Sequence, residues 1–235
     1  MVTPGVDTAI VRNLRDAGGV GGLPPGRLHR SGALHALSPE GARRLRDIGV
    51  RTVVDLRSLP EVTERPDALH DSGIAHLHVP VFAEQRWPDD QSELYPAMAE
   101  HAGRSVLAVL RRLTADPPSP VLVHCASGKD RTGVVVAVLQ TLYGASDAEV
   151  TADFLRTNRE LGLTAAPPSP VRGPHDAPAP APAPPRGHAT RPVEAHHLRR
   201  ALLWITSHHG SLPAWLRAHG ATDRDLPAPR PERAI

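Results

Sequence analysis

Between Pro120 and Leu142 an apolar run, a short polar loop and a second apolar run follow one another without a break. The first, Pro120-Val-Leu-Val-His124, reads as a short buried strand. The loop, Cys125-Ala126-Ser127-Gly128-Lys129-Asp130-Arg131-Thr132, sets a Cys and an Arg six positions apart with small residues between them. Small side chains and a Gly let successive backbone N–H groups turn inward, and such a ring of donors at a helix N-terminus holds a phosphate-sized dianion. The second run, Val134-Val-Val-Ala-Val-Leu-Gln-Thr-Leu142, would be a strand by propensity. A helix is expected instead, because the anion loop requires a helix N-terminus beneath it. A thiol at the floor of that cup is expected to have a lowered pKa, and the thiolate is the nucleophile. Arg131 offers a planar fork matched to phosphate oxygens, and Thr132 can offer its hydroxyl to the sulfur. Cys125 is the only cysteine in the chain and Lys129 the only lysine. A lone ammonium inside this loop is suited to a phosphate oxygen, against the plainer reading of one leftover Lys in an Arg-rich chain.

His124-Cys125-x5-Arg131-Thr132 resembles the signature of the cysteine-dependent phosphatase superfamily. The Gly-Lys-Asp-Arg-Thr-Gly version at 128–133 resembles its bacterial tyrosine-phosphatase-like branch. Asn13-Leu-Arg-Asp-x-Gly18-Gly19, Arg30-Ser-Gly-x-Leu34 and Asp55-Leu-Arg-Ser58 followed by Glu61 resemble the same branch. The resemblance implies an α/β fold of three layers, a central, mostly parallel sheet flanked by helices, with extra C-terminal helices. It implies a phosphoric monoester hydrolase: a protein-tyrosine phosphatase, with dual specificity left open, that works through a phosphocysteine. Cys125 would be the nucleophile and Arg131 the stabiliser of the transferring phosphoryl group. Ala126, Ser127, Gly128, Lys129 and Thr132 would bind the phosphate, with no metal and no cofactor. The general acid is nominated twice. The branch points to Asp130, and Trp87-Pro88-Asp89 resembles the acid-bearing loop of other branches. The substrate is a phosphotyrosine protein or a phosphoinositide. The competing classes are a catalytically silent phosphate-binding module, a sulfurtransferase using a persulfide on Cys125, and a buried inert Cys beside a chance Arg.

A chain of 235 residues holds one domain of moderate size with something left over. Aromatics are only 3% of it, so the core has to be built from Val, Leu and Ala. A net charge of +2, scattered along the sequence, gives no reason to expect nucleic acid. A single Cys excludes an internal disulfide framework. Met1–Asp7 lacks a basic region leading into an apolar core, and the run at 134–142 is too short to span a bilayer. No integral membrane segment is therefore expected, and a cytoplasmic location follows by default. The sequence leaves the oligomeric state open.

In chain order, the glycines at 18–22 and Pro24-Pro25 mark a loop, and 28–34 reads as a strand with a turn. Arg30 is either a second phosphate contact or half of a structural ion pair. Ser38-Pro39-Glu40 opens a helix that ends at Gly49. Thr52–Arg57 is a strand whose C-terminal end would line the ligand crevice, so Asp55 and Arg57 are candidates to buttress the loop or to take part in catalysis. Ile74–Val81 reads as another strand, and the spacing of Leu94, Met98, Ala102, Val106, Leu110 and Leu113 predicts one amphipathic helix over 92–113. Ser146-Asp-Ala-Glu149 resembles a capping box for a helix to about Leu161. Residues 164–192 hold ten of the 26 prolines, which marks a disordered or polyproline-type insert. The expected division is a phosphatase core at 1–163 with its signature loop at 124–132, the insert at 164–192, two helices at 193–222 completing the same domain, and a flexible tail at 223–235. Those helices are expected near the active-site mouth, with Trp204 and Trp215. His196-His197 and His208-His209 read as solvated helix-end residues, because adjacent histidines lack the i, i+4 spacing of a helical metal site.

Overall fold

The computed structural model describes residues 11–84, 86–163 and 190–227. The stretch that opens the anion loop is strand β5 (Val121–His124), and it lies at the middle of the sheet. The other strands are β1 (Arg15–Asp16), β2 (Leu28–Ser31), β3 (Thr52–Asp55) and β4 (Ala75–His78), in the spatial order β1-β2-β5-β3-β4. Only the β1–β2 pairing is antiparallel; β2, β5, β3 and β4 run parallel. Ser31 and Asp55 both stand level with His124, so three strands end together at one edge of the sheet.

Alternation along the strands explains the three layers. Val121 and Val123 of β5, with Val54 of β3, point into the larger core, while Leu122 and Val53 point into the smaller one. A strand buried on both faces reads as an apolar run, as Val121–Val123 do, and the buried His124 that ends it finds a polar partner in Asp67. The smaller core is closed by α1 (Pro39–Asp47), whose N-cap Ser38 accepts from the Gly41 N–H. The larger core is closed by α3 (Gln91–His101), α4 (Gly103–Leu113), α5 (Asp130–Leu142), α6 (Asp147–Glu160), α7 (Ala195–His209) and α8 (Leu212–Ala218). A short α2 (Leu59–Glu64) follows β3. The run at 134–142 is helical, as expected. Its residues 134–139 are all apolar and all buried, and tertiary burial overrides the β-preference of its valines.

The helix expected over 92–113 is two helices. The chain turns at Ala102, with ψ −8°, and the apolar period runs through the corner into the same core. The strands at 28–34 and 74–81 are shorter than expected, at Leu28–Ser31 and Ala75–His78.

The C-terminal helices pack into the larger core, and α7 comes near the loop through His197, which stacks on Tyr95, the partner of Asp130. Leu198, Ala201 and Ile205 of α7 enter the larger core, and α7 packs across α3 and α5. Pro96 has no N–H for the Ser92 carbonyl, and Arg200 of α7 donates to that oxygen instead at 3.2 Å. Trp215 is fully buried, and Trp204 stacks on His208. His197 is not solvated: it is buried and its ring stacks on Tyr95 with centroids 5.1 Å apart. Most of the proline-rich stretch, 164–189, lies outside the described residues, as does 228–235. Asp225 in the described part of the tail pairs with Arg111 at 3.0 Å. No helix of the described residues is long and apolar enough to cross a membrane.

Candidate active site

The loop from Cys125 to Lys129 joins the C-terminal end of β5 to the N-terminus of α5. Its shape depends on Gly128, at φ +68°, where a Cβ would collide with the Ser31 carbonyl oxygen. The Gly128 carbonyl is drawn away from the cup by two buried donors, Asn13 Nδ2 at 2.7 Å and Arg30 Nη2 at 2.8 Å. Among the described residues, no backbone N–H from Ala126 to Arg131 donates to a protein acceptor. Those donors, gathered at a helix N-terminus, form the site an anion takes. Cys125 is almost wholly buried at the base.

Arg131 and Asp130 both line the cavity above the loop. Arg131 forms a two-pronged ion pair with Glu61, at 2.6 and 2.8 Å, and lies 5.0 Å from the ring centre of Trp87. Burial works against the guanidinium charge, but Glu61 and the sulfur of Cys125 hold it firmly protonated. Burial likewise opposes ionisation of Glu61, and Arg131 outweighs it, so the carboxyl sits below its usual range. Glu61 also accepts from the Ser58 N–H and hydroxyl, each at 2.8 Å, which fixes it at the start of α2. Asp130 accepts from the Tyr95 hydroxyl at 2.6 Å and from Lys129 Nζ at 3.0 Å.

The Lys129 ammonium differs from expectation. It is fully buried, and it bonds Asp130 and the Arg191 carbonyl at 3.0 Å rather than facing the cavity. A buried ammonium requires acceptors, and these two are the ones within reach. Thr132 also differs, because its hydroxyl is buried without a partner and makes no bond to the Cys125 sulfur. Ala126 and Ser127 line the cavity. Asp89 is exposed and is not among the lining residues, whereas its neighbour Trp87 is.

Behind the loop stand two buried charge networks. In the first, Arg57 bonds Asp55 at 2.6 Å and Asp67 at 2.8 Å, while His124 Nε2 lies 2.8 Å from Asp67 and its Nδ1 lies 3.1 Å from the Cys125 carbonyl. Hydrogen bonds that His76 donates to Asp55 and Asp67, against partial burial, raise its pKa to about 9. Asp55, Asp67 and His76 are close enough to hold a metal ion, but the two carboxylates already meet the Arg57 guanidinium, and Asp67 also meets the His124 ring. In the second network Arg30 is fully buried and pairs with Asp153 of α6 at 3.1 Å; Arg15 pairs with the same carboxylate at 3.2 Å. Arg30 is thus a structural bracket, not a contact of the cavity.

Sequence reasoning missed Asp67, His76, Tyr95 and Asp153, and noted Glu61 only as part of a resemblance. Tyr95 had a signal: a Tyr on the buried stripe of a helix needs a partner for its hydroxyl. The capping pattern Ser58-x-x-Glu61 announced a helix start, with nothing to say that the carboxylate would also meet Arg131, 70 positions away.

The cavity has a volume of about 730 Å³. Its lining combines apolar side chains, Phe82, Trp87, Leu94 and Met98, with polar ones, Arg12, His35, Glu64 and Arg65. It can take a phosphate at the loop and an aromatic group above it.

A model of the tyrosine phosphatase family matches residues 6–230 of this chain. Among curated proteins, the triple specificity protein phosphatase PtpB of Mycobacterium tuberculosis is 32% identical over 175 residues, covering 58% of this chain and 62% of that protein. A tyrosine-protein phosphatase of Nostoc commune is 27% identical over 142 residues, covering 56% of this chain and 48% of its own length. The chain therefore spans between about half and six-tenths of the curated relatives it matches. Among solved structures, the Yvh1 phosphatase domain from Chaetomium thermophilum is similar in outline, with a TM-score of 0.44 and 14% identity, over 83% of this chain and 96% of that one.

Proposed function

The chain belongs to the tyrosine phosphatase family, and from that premise we propose that it hydrolyses phosphotyrosine in protein substrates through a phosphocysteine on Cys125. The observation that carries the reading is the arrangement at the loop. A buried Cys lies beneath unpartnered backbone N–H groups, with Arg131 and Asp130 together in a cavity that has an aromatic and aliphatic wall. The Cys125 sulfur attacks phosphorus and the bond to the leaving phenolic oxygen breaks. The loop N–H groups and Arg131 stabilise the charge on the three equatorial oxygens. Asp130 gives its proton to the leaving oxygen. Asp130 then takes a proton from water, whose oxygen breaks the S–P bond and releases phosphate and the thiolate. Asp130 is favoured as the acid over Asp89 because it lines the cavity and is held there by Tyr95 and Lys129. Lys129 serves the site through that carboxylate, and its backbone through the loop.

The test is hydrolysis of p-nitrophenyl phosphate without added metal, by the wild type and by Cys125→Ser, with mass spectrometry of the acid-quenched enzyme. Turnover with a phosphorylated Cys125 is expected, and loss of both in the serine variant. Arg131→Ala should lose on the order of 3 kcal/mol or more of transition-state stabilisation. Full activity in Cys125→Ser would refute the mechanism. A panel of phosphotyrosine, phosphoserine and phosphothreonine peptides beside phosphoinositides tests the substrate, and preferred turnover of the lipids would overturn the protein assignment.

A further inference from the structure

Among the described residues, the charged side chains around the cavity cancel in pairs, except for one. Arg131 is paired with Glu61, Asp130 with Lys129, Arg57 with Asp55 and Asp67, and Arg65 with Glu64 at 3.4 Å. Arg12 lines the same cavity, is exposed, and its guanidinium has neither a hydrogen bond nor an ion pair among the described residues. Its backbone, in contrast, is fixed to the loop. The Arg12 carbonyl accepts from the Gly32 N–H at 2.7 Å, and the next residue, Ala33, donates its N–H to the Ala126 carbonyl at 3.0 Å. The base of the side chain therefore holds its position relative to the phosphate cup, while its charged end stays available. His35, also exposed and without a side-chain partner among the described residues, lines the same cavity.

We propose that Arg12 is an accessory anion-binding residue at the cavity mouth, and that it selects phosphotyrosyl peptides carrying a carboxylate side chain beside the phosphorylated tyrosine. The proposal rests on the phosphatase reading and narrows its substrate class. A phosphoinositide headgroup with several phosphates would call for a cluster of uncompensated cations, and among the described residues a single one lines the cavity. The apolar lining residues Phe82, Trp87, Leu94 and Met98 take the tyrosyl ring, and the free guanidinium of Arg12 meets the neighbouring carboxylate.

The experiment compares two phosphotyrosyl peptides that differ only in Glu against Gln next to the tyrosine, and reads the ratio of their kcat/KM values within each protein. In the wild type at low salt the Glu peptide is expected to be preferred by about two- to fivefold, the worth of one solvent-exposed ion pair. The ratio should fall toward one as salt screens the contact. Arg12→Gln should bring it to one, and Arg12→Glu should reverse it. The same ratio is read as peptide affinity in Cys125→Ser, which decides the role of Arg12 even if the chain turns nothing over. Arg12-dependent preference in binding without any turnover of p-nitrophenyl phosphate would sink the catalytic reading and leave the subsite standing. An unchanged preference in Arg12→Gln, or none in the wild type, would overturn the subsite. Stronger Arg12-dependent binding of a soluble inositol polyphosphate than of the Glu peptide would overturn the choice of a peptide.

Discussion

Replacing Asp153 by Asn tests whether the loop is held from behind by one shared carboxylate. The side chain is about nine-tenths buried, its Oδ1 accepts from Arg15 at 3.2 Å, and its Oδ2 accepts from Arg30 at 3.1 Å. Both guanidiniums are buried, and Arg30 passes the restraint on by donating to the Gly128 carbonyl at 2.8 Å. In Asp153→Asn two buried cations lose their common counter-charge, and the amide turns a donor toward one of them. Breaking a buried pair by removing one partner costs about 3–5 kcal/mol. The two pairs share an oxygen-bearing group and are not independent, so the cost stays near about 4 kcal/mol rather than doubling. At about 2–4 °C per kcal/mol for a domain of this size, the melting temperature should fall by about 8–16 °C. Burial opposes ionisation of Asp153, but Arg30 and Arg15 outweigh it and hold the carboxyl below its usual range. A depressed carboxyl contributes stability above its unfolded pKa and loses it as pH falls through the folded value. The gap between wild type and variant should therefore be full at neutral pH and close in acid. Urea denaturation of both proteins across that range measures it, with p-nitrophenyl phosphate turnover beside it. A neutral-pH difference below about 1 kcal/mol, the value of an ordinary surface pair, would refute the reasoning.

Three further outcomes follow from the same geometry. Tyr95→Phe removes the 2.6 Å bond to Asp130 and should slow phenyl phosphate about tenfold while slowing p-nitrophenyl phosphate less, because the better leaving group relies less on the acid; equal slowing would assign Tyr95 a purely structural part. His76, raised to about 9 from an ordinary value of 6.5, contributes stability that is fully present below 6.5 and is lost as pH rises through 9; His76→Gln should flatten the urea midpoint across that interval, and an unaltered slope would contradict the pairing. Gly128→Ala forces a Cβ into the Ser31 carbonyl at a positive φ, and turnover should collapse more than the melting temperature does; near-normal kcat would show that the loop shape is not what binds phosphate.

The parts of the site that were legible from sequence are those held together by the chain itself. Cys125, Gly128 and Arg131 share one loop, so their offsets carry the geometry. The helix after them could be inferred against propensity because an anion cup needs a helix N-terminus. The three-layer sheet was legible from the resemblance, and it fits the uninterrupted apolar strand before the loop. What was not legible depends on where distant segments meet. Lys129 reads as a phosphate ligand until Asp130 and the Arg191 carbonyl are seen to occupy its ammonium. The regular period of 92–113 concealed a corner at Ala102, since an apolar stripe can continue around a bend into the same core. The C-terminal helices were expected near the mouth, but an apolar stripe specifies only that a face is buried, and that α7 would set His197 on Tyr95 was not readable from it.

The local order of small residues, thiol and guanidinium, written in adjacent positions, was enough to determine a phosphate-sized cup at a helix start. Backbone geometry over so few residues leaves little choice. Only the tertiary structure decided which charges remain free around that cup. Glu61, Asp153 and Tyr95 reach it from α2, α6 and α3, and Arg12 from the segment before β1. Electrostatic pairing depends on distance in space, and separations of tens of residues along the chain carry no record of it.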